Sequence, residues 1–286
     1  MNASLHNLRQ EFHRNIVKCG LLSMNSDGIA SNADKGNRAS VFIAASIAEQ
    51  LGVRPTFEKM KAQTAGHNFE AKVTDFLQSA LTDFKDLSVG RRRVEHVLRR
   101  GHNFYLAEFE PYRHLAQLAD AVTADSTLST VLGNSYDISP DVVLLRSPEP
   151  DEFFNQNRTR VDDSVALHSP LRLVNNEAEI VEGIISCKWT LRSDRAQNAR
   201  SEALNIIRNR KGRTPHIVVV TGEPTPSRLA SLALGTGDID MVYHFALPEL
   251  QTAVEASGND EAKSMLNILI EGKRLRDISD LAIDVI

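Results

Sequence analysis

Asp141, Lys188 and Glu202 have the types and spacing that metal-assisted phosphodiester hydrolysis needs. Asp141 follows Pro140 at the start of an apolar run. Forty-four residues then intervene before Ser186-Cys187-Lys188, and Glu202 comes fourteen residues after Lys188. Carboxylate oxygens hold Mg²⁺, which also takes phosphate oxygen and water. Such a cation lowers the pKa of its water and stabilises the attacking and leaving oxygens. A lysine beside it orients the nucleophile or offsets developing negative charge. Taken alone, these residues fit a turn aspartate and an exposed strand lysine better. The next stretch, Arg192-Ser193-Asp194-Arg195, raises the hydrolytic reading. Arginine donates bidentately to guanine O6 and N7, and aspartate accepts from cytosine N4. With Ser193 as an N-cap, these groups stand at one helix end, able to read adjacent G·C pairs in a major groove. The plainer alternative is an N-terminal salt-bridge cluster. Arg195 and Glu202 are seven residues apart, two helical turns, so reader and cutter would share one rigid element.

The elements that must position these groups follow from periodicity. Asp141–Leu145 reads as a short buried strand and Glu179–Thr190 as the next strong one. Side chains alternate along a strand, so Ser186 and Lys188 share a face while Cys187 and Trp189 point away. Residues 194–210 read as a helix burying Ala199, Ala203, Ile206 and Ile207, with Glu202 on the flank of that face. Strands at His216–Thr221 and Met241–Phe245 alternate with helices at 226–235, 248–257 and 260–274, which argues for an α/β domain with a mixed sheet. Upstream, the chain reads as mostly helical. Residues 38–51 carry a broad apolar face, Pro55 is expected to open a long helix striped by Phe69, Val73, Phe76, Leu77, Leu81 and Phe84, and Pro111 another over 112–124. Residues 147–169 read as an excursion loop. Without a linker, the chain is expected to be a single domain over 1–286, with a mainly helical N-terminal half and a catalytic α/β core at about 135–250.

The chain has 286 residues, 42% of them hydrophobic, enough for a sizeable core. Its formal net charge of −4 excludes a globally basic nucleic-acid binder but not a local patch. Residues 186–213 carry eight Lys and Arg against Asp194 and Glu202, a net +6 that leaves −10 for the rest. A nucleic-acid face explains that run, and so does a solvated helix face. Arg91-Arg92-Arg93 with Arg99-Arg100 reads as a solvated face or a secondary phosphate contact. Two cysteines, Cys19 and Cys187, are too few for a disulfide framework or a four-thiolate zinc site. A reducing, cytoplasmic setting is expected, since the first residues contain no apolar signal segment and no run approaches a membrane span. The nine histidines form no His-Glu-x-x-His pattern, and His216 and His244 read as structural. No Gly-Lys-Ser/Thr phosphate loop is present.

In Pro140-Asp141, Ser186-Cys187-Lys188, Trp189-Thr190, the 192–195 block and Glu202, the sequence resembles the PD-(D/E)XK nucleases. More narrowly, it resembles the type II restriction endonucleases that read a CCGG core. The resemblance implies an α/β, restriction-endonuclease-like mixed β-sheet core flanked by helices. The general pattern has Asp or Glu at the place of Ser186, and the CCGG subgroup supplies that acid from the next helix, which Glu202 matches. The resemblance further implies catalytic roles for Asp141, Ser186, Lys188 and Glu202, with Asp141 and the main-chain carbonyl of Cys187 on the metal. It implies another active-site glutamate on a helix of the N-terminal half, for which Glu70 is the candidate; an ordinary solvated helix glutamate is nearly as good a reading of Glu70. Arg192, Asp194 and Arg195 would read the inner base pairs, Arg228 and Asp34 an outer G·C pair, and Gln63 would touch the minor groove. Also implied are two Mg²⁺ per active site and a GCCGGC site in double-stranded DNA. Cleavage after the first G would leave 5′-phosphate ends. A homotetramer of two dimers and a cognate DNA methyltransferase acting on the same site complete the expectation. A structure-specific repair nuclease on the same fold and a non-catalytic DNA-binding module are the rival readings. Asp194 between two arginines disfavours both, because an acid facing DNA repels phosphate and makes sense mainly as a base reader.

Overall fold

A computed structural model describes residues 3–55, 62–97, 105–124, 127, 130, 140–191, 193–235 and 237–286; the side chains of 62–64, 123 and 193–196 lie outside that description. In chain order the elements are α1 (Ser4–Lys18), α2 (Arg38–Gln50), α3 (Ala62–Asp83), β1 (Arg92–His96), a 3₁₀ turn (Tyr105–Glu108) and α4 (His114–Ala124). They continue with β2 (Val142–Arg146), α5 (Asp151–Phe154), β3 (Ile180–Lys188), α6 (Ser193–Asn209), β4 (His216–Thr221), α7 (Pro226–Ala233) and β5 (Met241–His244). The chain closes with α8 (Leu247–Ala256), α9 (Asp260–Glu271), β6 (Leu275–Asp277) and α10 (Ile278–Asp284).

The six strands lie in one sheet in sequence order. β1, β2 and β3 are antiparallel neighbours, while β3 to β6 run parallel. The parallel half has the composition such strands require. β4 reads His-Ile-Val-Val-Val-Thr, and β-branched residues bury on both faces where helices cover a sheet. α3 lies across β1 and β3 and carries α1 on its outer side, α7 packs between α6 and α9, and α2 rests on α8. Phe69, Val73, Phe76 and Leu77 of the α3 stripe are buried. The chain is thus a mixed α/β fold, a six-stranded sheet flanked by helices. Its first and last strands come from outside 135–250.

Several boundaries differ from the sequence expectation for identifiable reasons. Pro55 makes an isolated bridge to Met24 and so does not occupy a helical first turn. β1 was not expected at all. Arg91 and Arg93 are solvated as expected, but the run is also ion-paired: Arg92 pairs with Glu182, Arg93 with Glu179 and Glu95, and Arg91, just before the strand, with Glu149. Apart from Glu95 of β1 itself, the partner carboxylates lie beside β2 or on the β3 side of the sheet, so ion pairs line this sheet edge. Arg99 and Arg100 lie outside the described residues. Among the described residues, no helix is long and apolar enough to cross a membrane.

The termini are tied to the core by Arg9 of α1. It donates to both Glu249 of α8 and Asp277 of β6, at 2.6 to 3.0 Å. Next to this cluster, His244 is fully buried and its Nδ1 accepts from the Ala246 amide at 3.1 Å. Burial lowers the His244 pKa from 6.5 to about 4. The unfolded chain then binds this proton more readily than the folded one. Stability from neutral His244 is complete above pH 6.5 and is lost as pH falls toward 4, by about 3 kcal/mol in full. His13, also buried and lowered, acts in the same direction. Asp277 and Glu249 are lowered below their ordinary values, so their contribution is lost at still lower pH. Urea midpoints should therefore fall between pH 6.5 and 4.5, with a smaller drop in His244→Gln. A flat profile in both chains would overturn this account.

Candidate active site and DNA interface

The β2–β3 register pairs Val142 with Ile185, so Asp141, just before β2, lies beside Ser186 at the end of β3. One oxygen of its buried carboxylate, Oδ2, collects three donors: the Cys187 amide at 2.8 Å, Lys188 Nζ at 3.1 Å and Ser186 Oγ at 3.3 Å. Strand alternation acts as expected. Ser186 and Lys188 reach toward Asp141, while the Cys187 side chain is buried on the other face. Burial first, then the charges of Asp141 and Glu70, push the Cys187 thiol well above its ordinary pKa, so it is no nucleophile.

Glu202 comes from α6 and is half-exposed; its Oε2 lies 3.6 Å from Lys188 Nζ. Burial opposes the lysine charge, but Asp141 and then Glu202 outweigh it, and the Lys188 pKa is raised above 10.5. The ammonium is therefore charged at neutral pH, a donor and counter-charge and not a proton acceptor.

Glu70 enters from α3. In β1, His96 pairs with Val142, and the Val97 amide donates to the Asp141 carbonyl at 3.0 Å. The strand the sequence reading missed thus runs directly beside Asp141. His96 Nε2 lies 3.0 Å from Glu70 Oε2, and His67 Nδ1 lies 3.5 Å from the same oxygen. Both histidines escaped the sequence reading. His67 was recoverable, since it precedes Glu70 by three residues on one helix, but His96 was not, because its strand carried no apolar alternation.

Among the expected DNA contacts, Arg192 lies outside the described residues, as do the side chains of Asp194, Arg195 and Gln63. The backbone of α6 does carry Asp194, Arg195 and Glu202 on one helix, as the spacing requires. Arg228 of α7 and Asp34, 194 residues apart, are brought together as a hydrogen-bonded ion pair. Beneath them, buried Glu223 accepts from the amide of Leu191, the residue before Arg192, at 2.8 Å and lies 3.8 Å from Arg228. Burial raises the Glu223 pKa against the pull of those donors. Arg200, counted in the basic run, pairs with Asp238 and donates to the carbonyls of Leu232 and Leu234; its charge is spent inside the fold.

Trp189 is core, as its alternation predicts. Its ring packs 5.1 Å from Phe69, the neighbour of Glu70, and 5.2 Å from Phe245. The donor set at the start of β2 and the end of β3 is made of hard oxygens: the carboxylates of Asp141, Glu202 and Glu70 with nearby main-chain carbonyls. The thiol of Cys187 is turned away. That chemistry fits Mg²⁺ and disfavours a thiolate-bound metal.

Comparison with known proteins extends this geometry. Residues 12–286 match the family model described as NgoMIV restriction enzyme. The type II restriction enzyme NgoMIV of Neisseria gonorrhoeae is 44% identical over 285 residues, a match spanning all of this chain and 99% of that protein. Among solved structures, the restriction endonuclease PspGI–substrate DNA complex aligns over 99% of this chain and 92% of its own. Its identity is 14% and its TM-score 0.26, a superposition too loose to bear on the fold. The full-length match at that identity places this chain in the NgoMIV restriction enzyme family: it is a type II restriction enzyme, a DNA endonuclease.

Proposed function

We propose that this enzyme cuts GCCGGC, a palindrome with a CCGG core, after the first G on each strand in an Mg²⁺-dependent reaction. The observation that carries the reading is the meeting of Asp141, Lys188 and Glu202 at the end of β3, directly before the helix that bears Asp194 and Arg195. Asp141 and the main-chain carbonyl of Cys187 would hold the cation, two Mg²⁺ per site in full occupancy, with Glu202 and Glu70 completing the carboxylate set. When bound, the cation supplies a water of lowered pKa and charge balance for the phosphate oxygens. Lys188 orients the attacking water and faces the negative charge that grows on the phosphate. Ser186 keeps the Asp141 carboxylate turned toward the site through its Oγ contact. Attack at phosphorus breaks the bond to the 3′ oxygen, so the products are a 3′-hydroxyl and a 5′-phosphate.

Arg192, Asp194 and Arg195 read the inner base pairs, and Arg228 with Asp34 the outer G·C pair. The Arg228–Asp34 ion pair supports the last assignment, because one side chain donates to guanine and the other accepts from cytosine within a single pair. Gln63 would touch the minor groove. A palindrome suits a two-fold dimer, and the enzyme is assigned as a homotetramer of two such dimers acting beside a methyltransferase of the same specificity.

Digestion of a defined plasmid with Mg²⁺ or with EDTA, followed by sequencing of the ends, tests this reading. Discrete fragments are expected with Mg²⁺ alone, each ending in a 5′-phosphorylated CCGG overhang. Discrete fragments at another sequence would overturn the base assignments. Equal cutting in EDTA would overturn the metal assignment.

A further inference from the structure

We propose that His67, Glu70 and His96 form a binding site for a transition metal ion of the Zn²⁺ class, which has only Glu70 in common with the oxygen donors around Asp141. The three side chains converge from two elements. His67 and Glu70 are three residues apart on α3, hence on one face, and His96 ends β1 against that face. Glu70 Oε2 lies 3.0 Å from His96 Nε2 and 3.5 Å from His67 Nδ1, and one ligand atom from each residue falls within 4.8 Å of the other two. In a tetrahedral zinc site with bonds of about 2.0–2.1 Å, neighbouring ligand atoms stand about 3.4 Å apart, and the two separations from Glu70 Oε2, 3.0 and 3.5 Å, bracket that edge.

The donor types agree with the spacing. Two imidazoles and one carboxylate suit Zn²⁺ and its late transition-metal neighbours, whereas Mg²⁺ prefers oxygen donors throughout. Three protein ligands leave a fourth position for water. His67 is 56% exposed and His96 14% exposed, so an ion can arrive from solvent and end on partly buried donors.

The site shares Glu70 with the nuclease centre. Glu70 contacts His96, whose neighbour Val97 donates its amide to the Asp141 carbonyl at 3.0 Å, so the carboxylate stands close to the end of β3. An ion seated between the histidines would hold Glu70 on the α3–β1 side and so inhibit Mg²⁺-supported cleavage. This consequence rests on the active-site role proposed for Glu70; the binding itself does not.

The test uses the full chain carrying Asp141→Asn, which weakens the oxygen-donor site and isolates the new one. Zn²⁺ titration against a chromophoric chelator should show one tight ion per chain. The affinity should fall at least about 10-fold in His67→Ala and in His96→Ala, since even second-shell partners of metal ligands are worth about 10–100-fold. Co²⁺ in the same chain should give the visible absorption of a four-coordinate ion. His67 is largely exposed, so His67→Ala carries the test if His96→Ala does not fold. Zn²⁺ affinity unchanged in His67→Ala would overturn the proposal. With the wild-type enzyme, Zn²⁺ should slow Mg²⁺-supported cleavage, and less so in His67→Ala. Tight, His67-dependent binding without inhibition would uphold the metal site and overturn the role given to Glu70.

Discussion

Lys188→Ala is expected to lower the single-turnover rate of DNA cleavage by at least about 100-fold, the loss that follows removal of one preorganised donor from a reaction centre. Lys188 sits at the last position of β3, 3.1 Å from Asp141 Oδ2 and 3.6 Å from Glu202 Oε2, with its charge sustained against burial by those carboxylates. Alanine removes the cation but leaves the Cys187 amide and Ser186 hydroxyl on Asp141, so the strand end keeps its geometry. The base-reading residues proposed above are others, so sequence-specific binding should survive. Mobility-shift assays in Ca²⁺ beside single-turnover cleavage in Mg²⁺ separate the two effects. Cleavage near the wild-type rate would remove Lys188 from the reaction.

Trp189→Ala should destabilise the fold by about 3–5 kcal/mol, the range for deleting a large buried aromatic. Against a total of about 5–15 kcal/mol for typical domains, that is a large share. The ring fills the junction between Phe69 of α3 and Phe245, just after β5. Gly222 shows how closely the chain is fitted there: a Cβ at that position would lie 2.6 Å from Trp189 Cε3. Trp189 is the sole tryptophan of the chain, so the variant must be followed by circular dichroism during denaturation. A loss under about 1 kcal/mol would mean that the ring is not the packing anchor its burial indicates. Because Phe69 precedes Glu70, the same variant should loosen the α3 side of the candidate centre.

What could be read in advance depended on the range over which each signal acts. Val218, Val219 and Val220 mark a buried strand because β-branched residues favour a pleated surface covered on both sides. The face shared by Ser186 and Lys188 follows from a period of two, and the common helix of Arg195 and Glu202 from a period of 3.6. Those regularities act over a few residues, so single letters suffice. β1 lacked any such signal. Its arginines are satisfied by Glu179 and Glu182, 86 and 90 residues further along the chain, and only the folded sheet supplies them.

The sequence by itself determined the alternating strands and helices of the second half, the placement of Asp141, Lys188 and Glu202 on successive elements, and, through its motifs, the family. The tertiary structure alone decided that β1 lies beside Asp141 and that His67 and His96 close around Glu70, while the Arg228–Asp34 pair that the resemblance implied forms across 194 residues. Local propensity and periodicity are properties of neighbouring residues. The partners of a polar side chain at an edge strand or loop are set by how the layers pack, and that is settled only when the whole core closes.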